Sequence, residues 1–221
     1  MNNVIKIRRY AEAVIVAVRG LCVERGGNLV VKDVSFGVAP GEVVALLGVN
    51  GAGKSTILRC LTGLLSPTAG ELEVLGKPPT ADPEYWRDVA YVAEEPSWYP
   101  GLTVREHLDL VRVTHGSEAD LDAAVDEFGL TGRADATPLA LSSGQRRRVM
   151  LAAALLRPSR LLLLDEPEQT LDSGFRGALA RRLVAYAQGG GAVLLAAHDL
   201  EFVAACGARR LIIADHALTA E

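Results

Sequence analysis

The feature that most restricts what this chain can become is a glycine-rich segment, Gly48-Val49-Asn50-Gly51-Ala52-Gly53-Lys54-Ser55, directly behind the continuous apolar run 43–47. An apolar run bounded by Gly41 and Gly48 is the pattern of a strand buried on both faces of a parallel sheet, since neither face is left polar for water. The segment fits the spacing G-x-x-x-x-G-K-[ST], and a helix is predicted behind it from about 54 to 65. Glycines let the backbone approach phosphate oxygens closely. The loop N–H groups and the helix N-terminus then present positive potential to them. Lys54 is placed to reach the β- and γ-phosphates and Ser55 to ligate Mg2+, with Gly48, Asn50, Gly51, Gly53 and Thr56 completing the nucleotide-binding set. By itself this loop specifies a nucleoside-triphosphate site, which kinases, GTPases and ATPases share.

The remaining sequence supplies a folded α/β chain around that loop. Its 221 residues suit one domain, or one domain with a subdomain packed on it. With 49% hydrophobic and 23% charged residues, intrinsic disorder is excluded. A mean hydropathy of +0.20 raises the question of membrane spans. The apolar runs, 149–156 the longest and 161–164 among the shorter ones, fall well short of the ~20 residues a span requires. The net charge is -4 and no block of Lys or Arg suggests a nucleic-acid groove, so no nucleic-acid partner is expected. Cys22, Cys60 and Cys206 lie far apart without CxxC spacing, which predicts reduced cytosolic thiols rather than a metal site or disulfide framework. Lys6, Arg8 and Arg9 precede a short apolar stretch, 13–18, that leads into Arg19 and not into a cleavage site. A first β-strand is therefore expected there, not a signal peptide.

Strands are predicted at 14–18, 30–36, 71–75, 89–93, 161–164, 192–196 and 211–213. The middle third is helical. Thr103 and Glu106 make a capping box ahead of an apolar stripe of Val104, Leu108 and Val111. Leu121, Val125 and Phe128 repeat at helical spacing, with Gly129 placed to end that helix. A further helix runs from about 144 to 156 and is stopped by Pro158. Another runs over 173–188, with Leu179, Leu183 and Tyr186 on one side. The expected organisation is a core of about 13–94 and 157–221 with a helical subdomain of about 95–156 inserted in it.

The second strong signal is the apolar run 161–164 followed by Asp165-Glu166-Pro167. A buried strand ending in a carboxylate delivers Asp165 beside the phosphate loop, where it holds Mg2+. Glu166, one residue on, is placed to polarise an attacking water, a contribution of roughly 10²–10⁴-fold in rate.

Upstream lies Leu141-Ser142-Ser143-Gly144-Gln145, and with it the chain resembles the ATP-binding-cassette (ABC) ATPases from about Val18 to its end. The family's signature is Leu-Ser-Gly-Gly-Gln, from which this chain departs with Ser143. Ser142, Ser143, Gly144 and Gln145 open a helix, and such N–H groups form an anion site. The resemblance implies that they grip the γ-phosphate of ATP held by an opposite subunit. Thr170-Leu171-Asp172 resembles the loop through which the two sites communicate, and His198 the histidine that contacts the γ-phosphate. The resemblance also implies a phosphate-loop core with a mostly parallel sheet, N-terminal antiparallel strands and an inserted helical lobe.

Two departures stand out. The family's glutamine at the junction with the helical lobe falls at Glu94, where a carboxylate still ligates Mg2+ but adds negative charge beside the γ-phosphate. The aromatic residue that stacks adenine falls at Arg25, whose guanidinium plane is an alternative stacking partner.

The function implied is that of an ATP-hydrolysing subunit, with ATP and Mg2+, that powers a separate integral-membrane permease. It pairs with itself or a paralogous cassette as an ATP-sandwich dimer and is cytoplasmic, peripheral on the inner face of the cell membrane. Trp98 and Tyr99 are candidate docking contacts on the helical lobe. The short tail behind His198 favours a compact exporter-type cassette. A non-transport ABC ATPase, such as a cluster-assembly factor, is the alternative. A phosphate-loop kinase or GTPase would leave the signature and His198 as coincidences.

Overall fold

The computed structural model describes residues 14–94 and 98–219. The basic residues Lys6, Arg8 and Arg9, the start of the stretch read as a strand at Ala13, and Glu95 next to Glu94 lie outside them. In chain order the elements are β1 (Val16–Arg25), β2 (Asn28–Val38), β3 (Val43–Leu47), α1 (Lys54–Leu61), β4 (Ala69–Val74), α2 (Pro83–Asp88), β5 (Val89–Val92) and α3 (Val104–Thr114). There follow α4 (Leu121–Glu127), α5 (Ser143–Leu156), β6 (Leu161–Asp165), α6 (Ser173–Gln188), β7 (Ala192–Ala196), α7 (Leu200–Ala205), β8 (Arg209–Ala214) and β9 (Ala217–Thr219).

The strands form two sheets. An antiparallel sheet has the order β2-β1-β4, and a larger sheet has the order β5-β6-β7-β3-β8-β9. The second sheet is parallel from β5 to β8, and β9 returns antiparallel on β8. Strands β3, β6 and β7 are buried along their whole length, which is why they read as unbroken apolar runs. Alternate residues serve two different cores. Val43, Ala45, Leu162, Leu164 and Leu195 face a cluster that includes Leu108 of α3, Val125 of α4, Leu151 of α5 and Leu179 of α6. Val44, Leu46, Leu163, Leu194 and Ala196 face α1 and the antiparallel sheet through Ile57, Leu58, Leu21 and Phe36. Each fully buried leucine in these layers contributes roughly 1.5–3 kcal/mol.

Local chemistry explains most element ends. Thr103 and Glu106 close the expected capping box on α3. Gly129, at φ +63°, follows the Phe128 cap of α4. Helix α1 ends at Leu61, short of the expected 65, because the chain turns at Gly63 with φ +73° and passes close to Thr80, whose backbone would lie 2.9 Å from an added Cβ. The first strand starts later than expected and runs on to Arg25 with bulges. Helices α2 and α7 and strand β9 were not anticipated; each is too short to carry a periodic signal. Among the described residues no helix is long and apolar enough to cross a membrane.

Candidate nucleotide site

The parallel strands bring their carboxyl ends to one edge of the sheet, where ligands of open α/β sheets bind. The glycine loop leaves β3, Asp165 ends β6, His198 follows β7 and Glu94 follows β5. Because β7 separates β3 from β6, the loop and Asp165 approach each other across one intervening strand.

A cleft of about 360 Å³ is lined by the loop from Asn50 to Thr56 together with Glu94, Glu166 and Gln169. The loop needs its glycines at specific points. At Gly48 an added Cβ would lie 2.6 Å from the Ile213 carbonyl, and at Gly53, with φ +100°, 2.8 Å from the Val31 side chain. Lys54 is buried and donates from Nζ to the carbonyls of Gly48 at 2.8 Å and Val49 at 3.2 Å. Burial pushes its pKa down, while Glu166, Asp165 and Glu168 pull it back up. Ser55 Oγ donates to Asp165 Oδ1 at 2.9 Å. Asp165 is 1% exposed, and its burial raises its pKa; the Ser55 hydrogen bond opposes this, and Glu166 and Glu94 add to it.

Glu166 sits with φ +50°, and its N–H donates to the Ala196 carbonyl at 2.9 Å. Its Oε1 contacts Nε2 of His198. The structure therefore brings together Lys54, Ser55, Thr56, Asp165, Glu166, Glu94 and His198 at one sheet edge. Glu94 is exposed at the rim of the cleft.

The signature segment borders a separate, adjoining cleft. Ser142 caps α5 in a capping box with Gln145, whose N–H donates to Ser142 Oγ at 3.2 Å. Ser143 lines a smaller cleft of about 150 Å³ with Glu94, Arg146, Arg147, Gln169 and Thr170, not the phosphate-loop cleft. Gly144 is the close-approach glycine of this helix: an added Cβ would lie 2.6 Å from the Thr170 carbonyl. Asp172 caps α6 by accepting from Phe175 N–H at 2.9 Å and pairs with Arg148; the Phe175 N–H and then Arg148 hold its carboxyl below the usual range. Arg25 ends β1 on an exposed hairpin and does not line the cleft. Of the two aromatic candidates, Trp98 is partly buried, its ring centroid 5.6 Å from that of His107, and Tyr99 is 61% exposed.

Sequence reasoning missed Arg147 and Glu168, both buried beside Glu166. For Arg147 a signal existed: it precedes Leu151 and Ala154 by four and seven residues, so it falls on the buried face of α5. For Glu168, next to an already recognised acidic pair, none did.

A glycine loop between a buried parallel strand and a helix, in a sheet of this order, defines a phosphate-loop nucleoside triphosphatase. The family described as ABC transporter matches residues 31–169. The chain is 38% identical over 193 residues to cytochrome c biogenesis ATP-binding export protein CcmA 2 of Cupriavidus metallidurans, covering 86% of this chain and 91% of that protein. It is 37% identical to the SkfA peptide export ATP-binding protein SkfE of Bacillus subtilis, covering 84% and 79%. A solved structure titled as the ATP binding subunit of an ABC transporter superposes with a TM-score of 0.84 at 32% identity, covering 93% of this chain and 88% of that one. The chain belongs to the ABC transporter family: it is an ATP-binding subunit and an ATPase.

Proposed function

We propose that this ATPase subunit works as a dimer with two shared sites, hydrolyses Mg-ATP in each, and drives export through a separate integral-membrane permease at the inner face of the cell membrane. The observation that carries the hydrolytic reading is the contact of Glu166 with His198 beside the Ser55–Asp165 pair. The shared-site reading is supported by the signature segment, whose Ser143 lines an adjoining cleft and not this chain's own phosphate-loop cleft. Export follows the names of the two relatives, both export ATP-binding proteins. Residues 95–156 are the docking lobe in this reading, with the exposed Tyr99 on its surface.

The site's donors fit Mg2+. Ser55 Oγ and Asp165 Oδ1 are hard oxygens 2.9 Å apart, with Glu94 at the rim. Among the described residues no group of three or more His, Cys, Asp and Glu forms a metal cage, as suits an ion held by few side chains plus phosphates and water. When bound, Mg2+ neutralises charge developing on the β- and γ-phosphates. Lys54 exchanges its loop carbonyls for phosphate oxygens. Glu166 orients a water whose oxygen bonds to the γ-phosphorus as the bond to the β–γ bridging oxygen breaks, and it receives the water's proton. His198 donates to a γ-phosphate oxygen. Arg25 stacks on the base only if the hairpin closes over it.

Glu166→Gln tests this reading. Turnover is expected to fall at least about 100-fold, and a dimer is expected to accumulate under saturating Mg-ATP, read by light scattering. Wild-type turnover in this variant would refute it.

A further inference from the structure

Two buried charges stand behind the Glu166–His198 contact, and neither belongs to the nucleotide cleft. Arg147 of α5 is 5% exposed and donates from Nη1 to the Ala93 carbonyl at 2.6 Å, and from Nη2 to the carbonyls of Asp165 and Glu166. Glu168 is 4% exposed and accepts at Oε1 from the N–H of His198 at 2.9 Å and of Asp199 at 3.3 Å. So the backbone of each partner is gripped by its own buried charge: the carbonyl of Glu166 by Arg147, the N–H of His198 by Glu168.

The local backbone gives this grip something to do. Glu166 holds φ +50°, a left-handed conformation that a residue with a side chain keeps only where its surroundings over-determine it. Its N–H is tied to Ala196 of β7 and its carbonyl to Arg147, so both sides of the strained residue are fixed. Buried charges are costly unless hydrogen-bonded. Arg147 places Nη1 and Nη2 on main-chain carbonyls of two separate segments, and Glu168 reaches main-chain N–H groups of a third. Arg147 is also attracted by the carboxylates of Asp165, Glu168, Glu166 and Glu94, so its charge offsets part of the acidic cluster it braces.

We propose that Arg147 and Glu168 are positioning residues for hydrolysis: they hold the backbone of Glu166 and His198 so that carboxylate and imidazole meet at the γ-phosphate. Arg147 does this from the helix opened by the signature segment. It joins that helix to the segment ending at Glu94 and to the end of β6.

The inference rests on the reading of Glu166 and His198 as the hydrolytic pair. Its test is steady-state ATPase kinetics of the full chain, with ATP affinity measured separately by equilibrium titration. Arg147→Lys keeps the charge, but one ammonium cannot span both carbonyl sites. Glu168→Ala removes the acceptor. Each is expected to lower kcat about 10- to 100-fold, the loss that a misplacement of about 1 Å brings. ATP KM and affinity should stay within about threefold of wild type. Glu168→Gln, which retains an acceptor oxygen, should recover most of the Glu168→Ala loss. Unchanged kcat in Arg147→Lys and Glu168→Ala would overturn the proposal. So would a loss shared equally by kcat and ATP affinity, which marks a general scaffold role. Arg147→Lys is the deciding variant if Glu168→Ala fails to fold. Glu166→Gln is measured alongside: wild-type turnover there removes the hydrolytic reading, whereas a stalled Glu166→Gln with normal Arg147→Lys and Glu168→Ala removes only the positioning.

Discussion

Glu94→Gln removes one negative charge from a site that is already rich in them. Four carboxylates, those of Glu94, Asp165, Glu166 and Glu168, share this region with three cations, Lys54, Arg147 and Arg59. A nucleotide triphosphate adds further negative charge. Two unit charges ~5 Å apart repel by roughly 3 kcal/mol at an effective dielectric of about 20, and by roughly 0.8 kcal/mol in water. Glu94 is exposed at the cleft rim, and Arg147 lies against the backbone of its segment. Both facts place the surviving repulsion toward the lower figure. About 1 kcal/mol corresponds to about a fivefold change in rate. Glu94→Gln is therefore expected to raise ATPase turnover about fivefold at low Mg2+, with the gain shrinking as Mg2+ rises and screens the carboxylate. Steady-state turnover across a Mg2+ titration reads this directly. Identical curves for variant and wild type would make Glu94 a bystander. A collapse of activity would make the carboxylate a required metal ligand and refute the repulsion argument.

Lys54→Ala is expected to fold and to lose at least about tenfold in ATP affinity, the worth of a charge-assisted hydrogen bond; unchanged binding by calorimetry would contradict the phosphate-loop reading. Leu163→Ala, at a fully buried position in β6, is expected to cost about 2–5 kcal/mol in denaturant unfolding, and a loss under 1 kcal/mol would contradict its place between the two sheets. Asp199 has its pKa lowered by the Phe202 N–H and by Arg176. Its folded pKa lies below the unfolded one, so its contribution is present above the ordinary aspartate value and disappears as pH falls through the folded value. Asp199→Asn should therefore flatten the loss of stability below about pH 4, measured by urea unfolding at a series of pH values, and an unchanged acid limb would count against it.

The readable parts of this chain are those in which neighbours in sequence carry the physics. Strands β3 and β7 match the predicted 43–47 and 192–196 because burial on both faces leaves an unbroken apolar run with sharp polar ends. Helix α6 likewise matches 173–188, and α3 is announced by a capping box closed within one turn. The glycine loop is legible for the same reason, since strand, turn and helix start are contiguous. Its partners were nameable only through the order of motifs and the family resemblance.

Tertiary structure alone decided what those motifs do to one another. Ser55 meets Asp165 across 110 positions of sequence because β7 spaces β3 from β6 by one strand width. Glu166 reaches His198 because β6 and β7 end side by side. Arg25 carries no local mark to say that its hairpin stands clear of the cleft, and Glu168 none to say that it turns inward to the N–H of His198. Sequence periodicity reports whether a side chain faces the core. It does not report which backbone groups from distant strands wait there, and hydrogen bonds such as those of Arg147 exist only once the sheet order has brought two strand ends together.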